Sequence, residues 1–251
     1  MLDIRIDGPV ATLTMTRPER RNAMSDGLLA AIDGFFAAPP EGVRVAVIRG
    51  AGGHFCAGLD LSEHVNRRDA EGVLRHSRGW HAVMDRVQHG GLPVVAALTG
   101  AVIGGGLELA TACHVRVADP TAFYQLPEGR RGIFVGGGAT VRVGRILGPD
   151  RMTEMMLTGR RYDAPEGQRL GLSHELVEDA WARADALARD IAGNAPLSNW
   201  IMIQALSRIG DMSRADGLFT ESLCAAVAQS GPDAVEGLQA FLEKRAPRFG
   251  A

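Results

Sequence analysis

The chain has 251 residues and a formal charge of −2, from 27 Lys+Arg against 29 Asp+Glu, with no block of like charges; this excludes a nucleic-acid footprint. Its three cysteines, Cys56, Cys113 and Cys224, form no C-x-x-C pair, which argues against a disulfide framework or a zinc knuckle. The opening "MLDIRIDGPVATLTM" lacks the basic start and apolar block of a signal peptide and no run is long enough to span a bilayer, so a cytoplasmic protein with no membrane partner is expected.

In chain order, Val10–Met15 alternates apolar residues with Thr and predicts a strand. Ser25–Phe36 predicts a helix, with Ser25 as N-cap and Asp26 in the first turn. "AAPPEG" (Ala37–Gly42) reads as the loop to a second strand, Val43–Arg49. A longer helical pattern runs from about Leu61 to Val87. "PVVAAL" (Pro93–Leu98) is a continuous apolar run suited to a strand covered on both faces, and Val115–Asp119 follows as another. Beyond it, Pro149–Gly159, Ala164–Leu170 and Val177–Leu206 predict helices, and the last fifty or so residues read as wholly helical. Strands alternating with helices indicate an α/β class. The expected division is an α/β core over 1–195 and a helical C-terminal part over 196–251.

Three glycines, Gly104–Gly106, stand before Glu108 in "AVIGGGLELATAC". A tight turn is one reading of them. A phosphate cradle is another, but Leu109 occupies the place of a third Rossmann glycine and no Lys-Ser/Thr follows. The third is an oxyanion site, in which N–H groups at a helix start face developing negative charge. A second glycine-bearing turn, "GGHFCAGLDLSEH" (Gly52–His64), follows the strand Val43–Arg49. Two strand-end turns of one sheet would supply the two N–H donors such a site needs. Further on, "FYQLPEGRRGIFVGGGAT" (Phe123–Thr140) carries Glu128 and another glycine triplet, Gly136–Gly138, that opens a helix. Two glutamates near one carbonyl can divide proton transfer between a base and an acid, as the addition of water to an activated double bond requires.

Taken together, "TRPERRNAMS" (Thr16–Ser25), "HFCAGLDL" (His54–Leu61), "IGGGLELATAC" (Ile103–Cys113), "LPEGRRGIFVGGGAT" (Leu126–Thr140), "MMLTGRRYDAPEGQRLGLSHELV" (Met155–Val177) and "EGLQAFLEKRAPRF" (Glu236–Phe249) resemble the enoyl-CoA hydratase/isomerase (crotonase) family, in the family's order and over nearly the whole chain. The resemblance implies a crotonase-like spiral of ββα units whose C-terminal helices mediate trimerisation, in a homotrimer or dimer of trimers. It implies an acyl-CoA thioester as substrate and no separate cofactor. Leu59 and Gly105 match the family's two oxyanion N–H donors, and Glu108 and Glu128 match its two catalytic acids. Main-chain groups of Ala23, Ala57, Leu59, Asp60, Leu61 and Gly105 match its CoA-binding positions. Gly104 and Gly106 are then expected only to shape the turn. Lys244 and Arg245 would either meet the CoA phosphates or form a solvated helix end.

Three positions depart from the family pattern: His114 stands where Asp is usual, Val135 where Pro is common and Thr16 where Asn is frequent. Continued helix would put residue 114 roughly 240° around from Glu108, so His114 is expected to be structural. His54, His64, His76 and His81 form no H-x-x-x-H or H-E-x-x-H pattern, and no metal is expected. A cation from Arg130 or Arg131 beside Glu128 would lower that acid's pKa and favour it as base. Acyl specificity would lie in Ser62–Trp80 and in the helices after Pro196, with Trp80 and His81 either lining the pocket or packing an amphipathic helix. Both glutamates favour hydration of a 2-enoyl-CoA to a 3-hydroxyacyl-CoA. The alternatives are isomerisation or other enolate chemistry on the same thioester, and a non-catalytic binding protein, which would lack the glutamates or carry a basic patch.

Overall fold

The centre of the molecule is the run Val94–Leu98, every residue of which is buried. The computed structural model describes residues 1–65 and 69–250, leaving Asn66, Arg67, Arg68 and Ala251 outside the description. The strands are β1 (Leu2–Asp7), β2 (Val10–Met15), β3 (Val45–Gly50), β4 (Val94–Leu98), β5 (Ala101–Ile103), β6 (Val115–Ala118), β7 (Phe123–Gln125), β8 (Tyr162–Asp163) and β9 (Glu175–Leu176). Six of them form one sheet in the order β1-β2-β3-β4-β6-β9, parallel except for the β1–β2 pair. A smaller sheet, β5-β7-β8, stands apart.

The helices are α1 (Asp26–Ala37), α2 (Leu61–His64), α3 (Ala70–His89), α4 (Gly105–Ala112), α5 (Ala139–Leu147), α6 (Pro149–Thr158), α7 (Ala164–Arg169), α8 (Ala180–Ala192), α9 (Pro196–Ile209), α10 (Arg214–Gln229) and α11 (Pro232–Leu242). The main core gathers β2, β3 and β4 side chains with Leu28, Ile32, Met84, Leu107 and Leu109 from α1, α3 and α4. The opposite face of the sheet is covered by α8, whose Ala180, Ala184, Ala188 and Ala192 form one small-residue stripe against Val45, Val47, Val95 and Val117. A parallel sheet buried on both faces explains why its central strand reads as unbroken apolar residues.

The α/β class is as expected, and α1 begins where the cap predicts, with the Ser25 hydroxyl accepting from Leu28 N–H at 3.2 Å. Two expected helices are divided. The pattern over Leu61–Val87 becomes α2 and α3, with part of the connection at 66–68 outside the described residues. The pattern over Val177–Leu206 becomes α8 and α9, because Pro196 cannot continue α8 and instead starts α9 at its first position. β1 carries no one-sided pattern: all but Leu2 are exposed, and its place comes from pairing with β2.

Candidate active site

The segment from Phe55 to Asp60 is stitched between two others. On one side Cys56 N–H donates to Ala101 O (2.9 Å) and Ile103 N–H to Cys56 O (3.0 Å); on the other, Met24 N–H donates to Gly58 O (2.7 Å) and Asp60 N–H to Met24 O (3.0 Å). That parallel bridge to Met24 uses the groups flanking Leu59, so the Leu59 N–H is directed away and has no acceptor among the described residues. Gly105 is the first residue of α4, whose N–H has no intrahelical partner. A Cβ on Gly105 would stand 3.5 Å from the Leu59 nitrogen and 2.6 Å from the Trp80 ring. Leu59 and Gly105 therefore border one small space that a side chain on Gly105 would fill. They come from the ends of different sheets, since Gly105 follows β5 and the Leu59 segment follows β3, rather than from one sheet as expected; the Cys56–Val102 bridge joins them.

Glu108 and Glu128 both line the cavity at this point, a space of about 400 Å³ that also takes in Leu59, Gly105 and Trp80. Glu108, on α4, is buried, and one carboxylate oxygen accepts from Gly137 N–H at 2.7 Å and Ala139 N–H at 3.1 Å. Burial pushes its pKa up, against the pull of those N–H groups and of the Arg142 charge. Glu128 opens a short 3-10 turn, Glu128–Arg131, closed by Gly132 in the left-handed region at φ 68°. One of its oxygens, Oε2, is buried with no hydrogen-bond partner among the described residues. Its pKa is raised to about 7, first by burial and then by the neighbouring Glu108 charge. The other oxygen lies over Gly104, where a Cβ would come within 2.6 Å of it. Gly104 therefore does more than turn the chain, because its bare Cα, at φ 51°, makes room for the second acid.

The expectation that Arg130 or Arg131 makes Glu128 the base is not met. Arg130 donates to Thr158 O at 2.5 Å and Arg131 to Pro127 O at 3.3 Å, both from exposed positions. The Arg131 charge is the smallest influence on Glu128, and burial outweighs it.

Of the expected CoA positions, Leu59 and Gly105 line the cavity; Ala23, Ala57, Asp60 and Leu61 lie along the adjoining bridge. Ala57 N–H donates to Arg21 O at 2.9 Å. Arg17 binds this rim together, donating to Ala23 O (3.0 Å) and to the Asp60 carboxylate (2.9 Å), while Asp60 also caps α2. The Asp60 side chain is thus structural, and its backbone is engaged as well, the N–H with Met24 O and the carbonyl with Glu63 N–H at 3.1 Å. Arg245 is occupied by Glu236 and Glu243, whereas Lys244 makes no ion pair among the described residues. Trp80 lines the cavity and packs its helix at once, donating its indole N–H to His76 Nε2 at 3.2 Å. His81 faces a separate cavity of about 1030 Å³, shared with Arg78 and Arg142. His64 and His76 line the site, but among the described residues no His/Cys/Asp/Glu cluster suits a metal. His114 is structural, as expected, though for another reason than the helical angle: α4 ends at Ala112, and the imidazole accepts from Val94 N–H and meets Gln88 O.

The N–H groups of Gly137 and Ala139 that hold Glu108 are absent from the sequence-based list of site residues. Their only sequence signal is that Gly136–Gly138 repeats the pattern of the first triplet, glycines at a helix start.

The chain as a whole is similar to known proteins. The family model described as enoyl-CoA hydratase/isomerase matches residues 5–251. A crystal structure from Rhodopseudomonas palustris CGA009, described as a "putative enoyl-CoA hydratase", superposes with a TM-score of 0.94 at 50% identity, over 97% of this chain and 95% of that one. An enoyl-CoA hydratase from Bacillus anthracis superposes with a TM-score of 0.92 at 31% identity, over 99% and 98%. The mitochondrial enoyl-CoA hydratase domain-containing protein 2 of Bos taurus is 37% identical over 249 residues, 96% of this chain and 84% of that protein.

Proposed function

The chain belongs to the enoyl-CoA hydratase/isomerase family and has the crotonase fold, and we propose that it adds water across the 2,3 double bond of a 2-enoyl-CoA to give a 3-hydroxyacyl-CoA. The observation that carries this reading is the pair of buried glutamates, with different hydrogen-bond surroundings, on one cavity that Leu59 and Gly105 also line. The thioester oxygen accepts from Leu59 and Gly105 N–H, drawing electron density away from carbon 3. Glu108, whose oxygen is held by two N–H groups, takes a proton from water as the hydroxyl bonds to carbon 3. Glu128, protonated up to about pH 7, delivers a proton to carbon 2. Both N–H groups gain strength as the thioester becomes enolate-like, so they stabilise the transition state more than the substrate.

Backbone groups of Ala23, Ala57, Leu59, Asp60, Leu61 and Gly105 would hold the CoA. A second copy of the chain would cover Trp200, Phe219, Leu238 and Phe241 of α9 to α11, which are exposed here; this favours the trimer or dimer of trimers, and light scattering tests it.

Loss of the conjugated enoyl absorbance with crotonyl-CoA and a panel of longer and aromatic enoyl-CoAs tests hydration. Activity on at least one member supports the reading, and none on any removes it. Isomerisation of a 3-enoyl-CoA needs only one shuttling acid, so turnover that survives loss of either glutamate would favour it instead.

A further inference from the structure

The turn that grips Glu108 does so with backbone N–H groups alone. Gly137 and Ala139 lend their N–H groups to the carboxylate from a glycine run in which Gly138 sits at φ 104°. The side chain that grips this turn is Arg142 of α5, whose Nη1 donates to Gly137 O at 3.2 Å and whose Nε donates to Gln88 Oε1 at 2.6 Å. Gln88, on α3, is itself fixed. Its backbone carbonyl, distinct from the Oε1 that Arg142 holds, lies 2.8 Å from His114 Nε2, and His114 Nδ1 accepts from Val94 N–H at 2.9 Å, which leaves Nε2 as the donor. A continuous line of hydrogen bonds thus runs from the central strand β4 through His114, Gln88, Arg142 and Gly137 to the Glu108 carboxylate.

We propose that Arg142 is a positioning residue for Glu108: it holds the turn whose N–H groups aim at the carboxylate. The inference rests on the reading of Glu108 as the base. The other charged groups near the pair are accounted for. On α3, Asp85 acts on Arg142 and His76 lines the cavity; on α5, Arg145 acts on Arg142; from the 3-10 turn, Glu128 faces Glu108 with Arg131 behind it; α2 contributes His64. The Arg142 cation pulls the Glu108 pKa down against burial. A guanidinium suits both tasks because its fork can hold Gln88 and Gly137 at once, which an ammonium cannot do in the same geometry.

The test uses R142M, R142K and Q88A in the full-length protein, read by kcat, KM and the pH profile with crotonyl-CoA. The Glu108 carboxyl is also titrated by carbon-13 NMR, assigned by its loss in E108Q. R142M is expected to lower kcat by roughly tenfold to a hundredfold with KM within about twofold, and to raise the low-pH limb and the NMR titration together by about one unit. R142K should restore the titration but only part of kcat, and Q88A should lower kcat without moving the titration. If E108Q turns over like the wild type, the hydration reading fails, while the NMR shift in R142M still supports the Arg142–Glu108 link. A folded R142M with unchanged kcat and titration overturns the proposal. So does an equal fall of kcat, KM and melting temperature in R142K and Q88A, which carry the test if R142M does not fold.

Discussion

The two ends of the site contain the same amino acid and treat it differently. At the start of α4, Glu108 meets two N–H donors on one oxygen and a guanidinium behind the donor turn. On the 3-10 turn after Pro127, Glu128 has a buried oxygen with no partner among the described residues and a pKa of about 7. Burial raises both; at Glu108 the opposing pull comes from the N–H groups of Ala139 and Gly137 and the Arg142 charge, and at Glu128 from its own backbone N–H and the Arg131 charge. The proposed division into base and acid rests on that contrast: two backbone N–H groups from a distant turn hold one Glu108 oxygen, while Glu128 Oε2 reaches none among the described residues.

Removing either carboxyl tests the contrast most severely. Glu108→Gln and Glu128→Gln should each lower kcat for hydration by roughly 10²–10⁴-fold while substrate binding persists, measured by steady-state kinetics and calorimetric titration. Wild-type turnover in either variant removes that residue from the mechanism. The oxyanion side comes next. Gly105→Ala should cost roughly 10²–10³-fold in kcat, because its Cβ meets both the Trp80 ring and the oxygen's space. Leu59→Ala, which keeps the N–H, should cost less than about tenfold. Equal losses in these two would mean that side-chain packing, not N–H donation, governs this region.

The proton states give a smaller effect. With Glu128 as the acid, kcat/KM should fall as pH rises through about 7, by about tenfold per unit beyond it, and Glu128→Gln should lack this limb in its residual activity. The smallest effect is on stability. The ordinary value for Glu128 is 4.5 and the folded value about 7, so the native state binds the extra proton between them. Its contribution is fully present below 4.5 and is lost as pH rises through 7. Glu128→Gln should therefore stabilise the fold above pH 7 by on the order of 1–3 kcal/mol, with little change at pH 4.5, as read by urea unfolding at the two pH values. A pH-independent difference would contradict the assignment of Glu128 as the uncompensated acid.

Much of this was legible before the fold. Val94–Leu98 carried its own burial in unbroken apolar residues, and Ser25 with Asp26 marked the start of α1 because capping acts within one turn. Glu108, Glu128, Leu59 and Gly105 were found through ordered motifs. Harder to see was β1, an exposed strand without alternation, and the separation of α8 from α9, where helical periodicity continued across a break set by Pro196. His81 and Trp80 are adjacent in sequence yet face different cavities, since neighbouring residues on a helix point about 100° apart.

By itself the sequence determined the class of fold, and its motifs pointed to the two glutamates and to the glycines beside them. These depend on local rules of period, capping and side-chain size. Only the tertiary structure decided the surroundings of each acid. Those surroundings are the N–H donors of Gly137 and Ala139 and the charge of Arg142, brought to Glu108 from across the chain, and a Glu128 Oε2 that meets no donor among the described residues. Arg130 and Arg131, adjacent to Glu128 in sequence, hold backbone carbonyls at the surface, because exposed guanidinium groups follow the nearest acceptors rather than the nearest acid along the chain.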